Sequence, residues 1–404
     1  MQMEFSIKIP ENAKLIIDTL YNEGFDAFVV GGCVRDSILG LKPGDWDITT
    51  QAPPFCVKEI FKKTIDTGIK HGTVTVMIKR EGYEVTTYRI DGEYMDGRHP
   101  ESVEFTKDLR EDLLRRDFTI NAMAYNDRVG LVDEFDGIGD LDKKLIKCVG
   151  NPYDRFSEDA LRMMRAVRFA ARLCFTIEEG TANAIKELAK TIKMVSAERI
   201  ENELTKTILS DNPSHIRFFK SLGLMQYFSP MLNELSDELL LNWLKVIEYM
   251  PKDSALRYAV LLCELDGEKI LKELKFDNNT INVVKLLKPF VKEDFPLDRI
   301  EIKRVLNVLD KDLTYGFLNI CKAKDEAFGT DTDNTAKAEA VLEDIINSGE
   351  PYKLSMLSLT GKDLIKAGVK PGPMIGDILA RALEIVIVNP SQNEAKHLLE
   401  ILNI

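Results

Sequence analysis

The rhythm of apolar and polar positions changes near residue 150. Before it, short β-prone runs (Ala27–Val30, Thr73–Ile78, Tyr83–Tyr88) alternate with stretches of helical spacing, broken by Gly and Pro, the pattern of a mixed α/β unit. Beyond it, apolar residues recur at helical spacing almost to the end. Asn151-Pro152 marks the change, because the residue before a proline is pushed out of the helical region. Further helix punctuation falls at Asp211-Asn212-Pro213, Pro251, Pro289, Pro296 and Pro351, and Gly329–Asn334 predicts a polar loop. The expected fold is α+β: a small mixed α/β N-terminal part followed by an all-helical majority.

Composition narrows the function classes. A chain of 404 residues, 45% hydrophobic and 30% charged, has room for about two to four domains and is not mainly disordered. It holds no run of about 18 apolar residues, so no transmembrane helix is expected. Its first residues, MQMEFSIKIPENAK, lack a basic n-region and an apolar h-region, which predicts a cytoplasmic protein with no membrane association. Six scattered cysteines without a C-x-x-C pair are expected to be reduced and buried. Four histidines form no H-x-x-x-H pattern, so any metal site must be built from carboxylates. The net charge of −12 argues against broad attraction to polyanions but leaves room for a local basic groove. Residues 151–200 carry 9 basic and 7 acidic side chains, the most basic stretch when the chain is cut into fifties.

The chemistry concentrates in residues 27–50, AFVVGGCVRDSILGLKPGDWDITT. A β run ends in Gly31-Gly32 and a helical pattern follows at once. Such a turn lets backbone N–H groups approach a phosphate, and the helix N-terminus adds positive potential. Arg35 stands ready to add a charge-assisted contact. Thirteen residues after Gly32 come Asp45-Trp46-Asp47 and a β-prone Ile48-Thr49-Thr50. On a strand, residues i and i+2 share a face, so the two carboxylates converge and repel unless a cation lies between them. A hard divalent ion, Mg2+, resolves that conflict. A glycine pair alone is an ordinary turn and a bare D-x-D a solvated one; at this spacing they point together to phosphate and metal chemistry. Glu84, on the run Tyr83–Tyr88, is a candidate third carboxylate.

A second cluster lies at 158–172. On a continuous helix, with Arg162 at 0°, Arg165, Arg168 and Arg172 fall at about 300°, 240° and 280°, edged by Asp159 and Glu158, with Met163, Met164, Val167 and Ala171 on the opposite face. Solvated i,i+4 pairs such as Glu158–Arg162 are common, but a stripe of four arginines suits phosphates or base edges, which match the fork of arginine better than the point charge of lysine.

The motif V-G-G-x-V-R-D-x-x-L-G followed by G-D-x-D-I-x-T resembles the signature of class II tRNA nucleotidyltransferases. With the bacterial poly(A) polymerases, these belong to the polymerase-β-like nucleotidyltransferase superfamily. Arg115-Arg116-Asp117-Phe118-Thr119-Ile120-Asn121-Ala122 and the segment Glu158–Phe169 resemble two further motifs of the group, in the same order. Gly361–Leu364 and Pro371–Pro373 look like its tail. Cys33, where a smaller residue is usual, and the bulky Trp46 depart from the pattern.

The resemblance implies a catalytic nucleotidyltransferase head over residues 1–150, a helical base-reading neck over 151–210, and a tRNA-binding body and tail over 211–404. It implies that Asp45 and Asp47 are catalytic and hold Mg2+, and that Gly31, Gly32, Arg35, Arg116, Arg165 and Arg168 hold the nucleotide. Asp159 and Arg162 would read the incoming base in place of a template: a carboxylate accepts the amino proton of cytosine or adenine and an Arg donates to the ring nitrogen. Asp117 and Asn121 are placed near the ribose. The implied reaction is addition of C, C and A to the 3′ end of tRNA lacking all or part of CCA, from CTP and ATP. Poly(A) polymerase, partial CC- or A-adding activity and a non-catalytic RNA-binding protein are the alternatives. The polar loop Asp91–Val103 favours the full activity and is expected to govern the change from C to A. No His-Asp dipeptide occurs, so no accompanying phosphohydrolase is expected. Met163, Met164, Trp243, Phe218 and Phe219 read as packing residues, and His71 as a turn residue.

Overall fold

The fold was obtained as a computed structural model, which describes residues 6–92, 102–330 and 332–404. By internal contacts the chain divides into two compact units, Met1–Asn233 and Glu234–Ile404.

The first unit opens with α1 (Glu11–Asn22), whose buried Ala13, Ile16, Ile17 and Leu20 sit at helical spacing. It is followed by β1 (Ala27–Val30), α2 (Gly32–Ile38), β2 (Ile48–Thr50), α3 (Pro54–Ile60), β3 (Thr64–Gly68), β4 (Thr73–Ile78) and β5 (Glu81–Thr87). Then come β6 (Arg89–Asp91), β7 (Val103–Phe105), α4 (Leu109–Leu114), β8 (Met123–Asn126), β9 (Gly130–Asp133), α5 (Gly137–Asp142) and β10 (Leu145–Ile146). Seven strands form one mixed sheet in the order β3-β4-β5-β2-β1-β8-β9. Its central strands β1 and β2 are buried along their whole length, as strands covered on both faces must be. β2 runs parallel to β5 and antiparallel to β1, which brings the segments entering β2 and leaving β1 to the same end of the sheet.

Beyond residue 150 the helical expectation holds with two corrections. Leu145–Ile146 (β10) pairs in parallel with a short strand, β11 (Thr176–Ile177). Two helices, α6 (Pro152–Glu158) and α7 (Leu161–Leu173), form the crossover that a parallel pair requires. Asn151 accepts the amide of Tyr153 and Pro152 opens α6. The second correction is that 158–172 is not one helix. Asp159 is extended (φ −143°, ψ 103°), and its side chain accepts the Leu161 amide at 3.0 Å. A short acidic side chain thus caps the new helix instead of continuing the old one, and the helical positions deduced for Glu158 and Asp159 do not apply. Within α7, Met163, Met164, Val167 and Ala171 are fully buried as expected. The helices α8 (Glu179–Leu188) and α9 (Ala197–Ile208) follow, and α9 packs along α7.

The second unit is helical. Its longest element, Arg299–Phe328, is kinked at Asp310 (φ 63°, ψ −177°) and ends on the left-handed Gly329, ahead of the helix Asp333–Ser348. Near its start Lys303 is buried and its ammonium contacts Glu350 at 2.8 Å. Leu364, Ala382, Val386 and Leu398 anchor a separate apolar cluster near the C-terminus. The cysteines are unpaired, but not all buried: Cys56 is half-buried, and Cys174 is exposed where it closes α7 in the left-handed region (φ 55°). Among the described residues no helix is long and apolar enough to cross a membrane.

Candidate active site

The turn after β1 is built around a conformation that glycine supplies. Gly31 has φ +81° and its amide donates to Met123 O at 3.1 Å. A β-carbon there would stand 3.0 Å from Arg116 Nη1 and 3.7 Å from Asn121 O. Gly32 begins α2 directly. The side chain of Arg35 stands beside this turn, its Nη2 3.6 Å from where a β-carbon on Gly32 would lie, but it is already paired. It is 1% exposed, donates to Asp36 at 2.7 and 2.8 Å and to Asn121 Oδ1, and lies over the Phe169 ring. A guanidinium can be buried there because two acceptors and an aromatic face replace its water.

Asp45-Trp46-Asp47 precedes β2 instead of lying within it. The segment is held by Val30 N donating to Asp47 O at 3.0 Å. The parallel register that matches Ile48 to Val85 brings the preceding Asp47 alongside Glu84. With Trp46, Glu81 and Tyr83 these carboxylates line a cleft of about 710 Å³. The Asp47 carboxyl is pushed up to about 6, first by burial and then by the charge of Asp45; Arg116 opposes this and Glu84 adds to it. Two crowded, acceptor-only carboxylates are what a hard cation relieves. Among the described residues no three acidic, His or Cys side chains form a complete ligand set. An ion bound through one or two carboxylates, with water and substrate phosphate as its other ligands, needs no more. The pair therefore fits a hard divalent cation.

The second motif joins this cleft to α7. Asp112, buried near the end of α4, accepts Arg115 at 2.6 and 2.9 Å and Thr49 Oγ1 at 2.9 Å. Arg116 lies 3.6 Å from Asp112, and its buried Nε has no hydrogen-bond partner among the described residues. It faces Gly31 on one side and feels the charge of Asp47 on the other. Asp117 is buried and accepts the Phe118 amide, Asn121 Nδ2 at 3.0 Å and Arg165 at 2.6 and 2.8 Å. Burial alone would raise its pKa, but Arg165 and Asn121 outweigh that and hold it well below the usual carboxylate range.

The arginine stripe on α7 is real, but its members are paired, and they range from the buried Arg168 to the exposed Arg172. Arg162 donates to Glu158, to Arg155 O at 3.0 Å and to Arg115 O at 2.8 Å. Arg165 meets Asp117, Arg168 meets Glu203 of α9, and Arg172 meets Asp36 at 2.6 Å. Arg165, Arg168 and Arg35 surround Phe169, with guanidinium carbons 5.3, 4.0 and 5.0 Å from its ring centre. Asp159 is half-buried and its Oδ2 accepts Arg199 Nη2 at 2.7 Å; among the described residues no side-chain bond joins it to Arg162. The carboxylate partners Asp36 and Glu203, and Arg199 itself, were missed from the sequence. Arg199 and Glu203 lie four residues apart on α9 and read there as an ordinary surface pair.

The remaining expectations fall on the edges of the site. His71 ends a short 3-10 turn, and its carbonyl accepts from Arg89. The ends of the loop Asp91–Val103 pair with each other in the ribbon β6–β7, and its residues 93–101 lie outside the described residues.

Comparison with known proteins agrees with this geometry. Residues 27–147 match the poly A polymerase head domain, residues 174–235 the probable RNA and SrmB-binding site of polymerase A, and residues 251–402 the putative tRNA nucleotidyltransferase domain 2. The CCA-adding enzyme of Limosilactobacillus reuteri is 39% identical over 395 residues, covering 96% of this chain and 95% of its own. That of Pediococcus pentosaceus is 37% identical over 407 residues, covering 97% of each. The crystal structure of the Bacillus stearothermophilus CCA-adding enzyme in complex with CTP superposes with a TM-score of 0.80 at 30% identity, over 100% of this chain and 98% of that one. The Thermotoga maritima CCA-adding enzyme complexed with tRNA shares the fold, with a TM-score of 0.67 at 22% identity over 99% of this chain and 96% of that one. An α+β head with a carboxylate pair beside a glycine turn, a helical remainder and near full-length relatives make one case: the chain belongs to the family of CCA-adding tRNA nucleotidyltransferases.

Proposed function

We infer that this enzyme adds C, C and A to the 3′ end of tRNA from CTP and ATP, without a nucleic-acid template and with release of pyrophosphate. The observation that carries the reading is that two successive residues serve the two halves of the site: Arg116 lies against Gly31 and near the charge of Asp47, and Asp117 holds Arg165 of α7, the helix that also carries Arg162 and follows Asp159.

In this reading the triphosphate lies against the Gly31-Gly32 turn, where Arg116 offers the free donor and Arg35 stiffens the turn from beneath. Enzymes of this family use divalent cations. Mg2+ held by Asp45 and Asp47 would stabilise the attacking and leaving oxygens of the transfer. The RNA 3′-oxygen attacks the α-phosphate and pyrophosphate leaves. Arg165 and Arg168 act through Asp117 and Glu203, which set the position of α7 beneath the base. Asp159 accepts the exocyclic amino group of cytosine or adenine, and Arg162 donates to the ring nitrogen beside it. Uracil and guanine present the opposite polarity and leave both groups unsatisfied. By role we assign residues 1–150 to the catalytic head, 151–210 to the neck, and 211–404 to the body and tail that hold tRNA, and we place the enzyme in the cytoplasm.

The test is incubation of purified protein and Mg2+ with tRNA ending at the discriminator base, with CTP, ATP or both, followed by sequencing of the 3′ ends. CTP alone should give CC, both should give CCA, and ATP alone should give no addition. Runs of A with ATP alone, or termination at CC with both nucleotides, would overturn the reading.

A further inference from the structure

We propose that Arg199 is a positioning residue for base selection, holding the Asp159 carboxylate in the orientation that separates cytosine from uracil at the first added position. The proposal rests on the reading of Asp159 as the base acceptor.

Asp159 sits in the break between α6 and α7, so no helix geometry fixes its side chain. Two contacts do. Oδ1 accepts the Leu161 amide at 3.0 Å and Oδ2 accepts Arg199 Nη2 at 2.7 Å. A carboxylate offers about four lone-pair directions, so the two left over point in fixed directions and remain available. Arg162 is pinned separately, by Glu158 and by the carbonyls of Arg155 and Arg115. The acceptor and the donor are thus preset by different partners, and no ion pair between them has to break before a base enters.

Rigidity at Asp159 is what makes rejection costly. Cytosine and uracil differ at one place on the ring, an amino group against a carbonyl oxygen. A carboxylate free to swing would turn away from that oxygen and lose little. One clamped from both sides stays opposed to it, unbonded, and the wrong base bears the full penalty of unpaired polar groups. Arg199 is well built to clamp. It lies in the first turn of α9, and Glu203, one turn later on the same face, pairs with Arg168. The helix therefore grips α7 at its start and at its middle.

The experiment measures kcat/KM for CTP and UTP at the first added position, with melting curves, for Arg199→Met, Arg199→Lys, Asp159→Ala and the double variant Asp159→Ala/Arg199→Met. Arg199→Met should lower the CTP:UTP ratio about 10-fold, mainly through a raised KM for CTP and a gain in UTP use, with melting near that of the parent. Arg199→Lys should restore most of the ratio, and the double variant should discriminate no worse than Asp159→Ala. If Arg199→Met lowers CTP and UTP by one common factor, or leaves the ratio alone, while Asp159→Ala collapses it, Arg199 only supports the fold and the proposal fails. If Asp159→Ala leaves the ratio intact, the base-reading assignment fails first. Should Arg199→Met not fold, Arg199→Gln, which keeps a neutral donor, takes its place: a lowered ratio supports the clamp and an unchanged one overturns it.

Discussion

Arg116 Nη1 lies 3.0 Å from the point where a β-carbon on Gly31 would stand. The glycine therefore does two things at once: it takes a left-handed φ, and it leaves space for the guanidinium that we assign to the triphosphate. Gly31→Ala should add roughly 1 kcal/mol of backbone strain and push Arg116 aside. The expected result is a loss of at least about 10-fold in kcat/KM, equal for CTP and ATP, because the triphosphate is common to both. Steady-state kinetics with each nucleotide checks this. A loss confined to one nucleotide would mean that Gly31 shapes the base pocket.

Asp45→Asn and Asp47→Asn should each nearly abolish addition while leaving the melting temperature close to that of the parent, since both carboxylates line the cleft and are crowded. Glu84→Gln should cost less than about 10-fold, because Mg2+ bound through two carboxylates does not need a third protein ligand. Single-turnover assays across a Mg2+ series separate these cases. Activity of the double aspartate variant above a few per cent would sink the metal site.

Asp159→Ala should damage base discrimination more than triphosphate affinity. A lost charge-assisted hydrogen bond is worth roughly 1.5–3 kcal/mol, about 10–150-fold in selectivity. Misincorporation of U and G, scored by sequencing 3′ ends, should rise by that order. The pyrophosphate inhibition constant should hold steady; a parallel rise in that constant would mark Asp159 as structural.

The second unit offers a stability prediction. Hydrogen bonds from Arg299 and Lys303, and their charges, outweigh burial and hold the Glu350 carboxyl down at about 2. A carboxylate held low stabilises the fold fully above its ordinary value near 4.5, and the contribution disappears as pH falls from there to about 2. Glu350→Gln leaves the buried Lys303 ammonium without its partner. It should cost roughly 1–3 kcal/mol at pH 7, allowing for the partial exposure of Glu350. Denaturant melts at pH 7 and pH 3 should show the gap between parent and variant narrowing in acid. A constant gap would mean that packing, not charge, is lost.

What the sequence determined here is local. A glycine pair after a β run encodes a turn before the chain has any tertiary partner, because only the residue's own sterics are involved, and β1, Gly31 and α2 appear where expected. The two-residue spacing of Asp45 and Asp47 is legible, and the two do share one cleft, although the strand itself begins one residue after Asp47. The inward face of α7 is legible from helical spacing.

Tertiary structure decided which charges meet. From sequence, Arg35 belongs beside the phosphate turn; it stands next to Gly32, but buried and paired, because Asp36, Asn121 and Phe169 converge there. Arg162 keeps the Glu158 pair that its i,i+4 spacing suggests, but Arg165, Arg168 and Arg172 each found a carboxylate on another segment: Asp117, Glu203 and Asp36. Helical spacing gives the angle of a side chain about its own axis. It says nothing of what a distant element places opposite, and in a low-dielectric interior that counter-charge sets whether an arginine is a free ligand or a strut. The break at Asp159 has the same origin. One carboxylate, satisfied by the Leu161 amide and by an arginine forty residues away, turned a continuous helix into two.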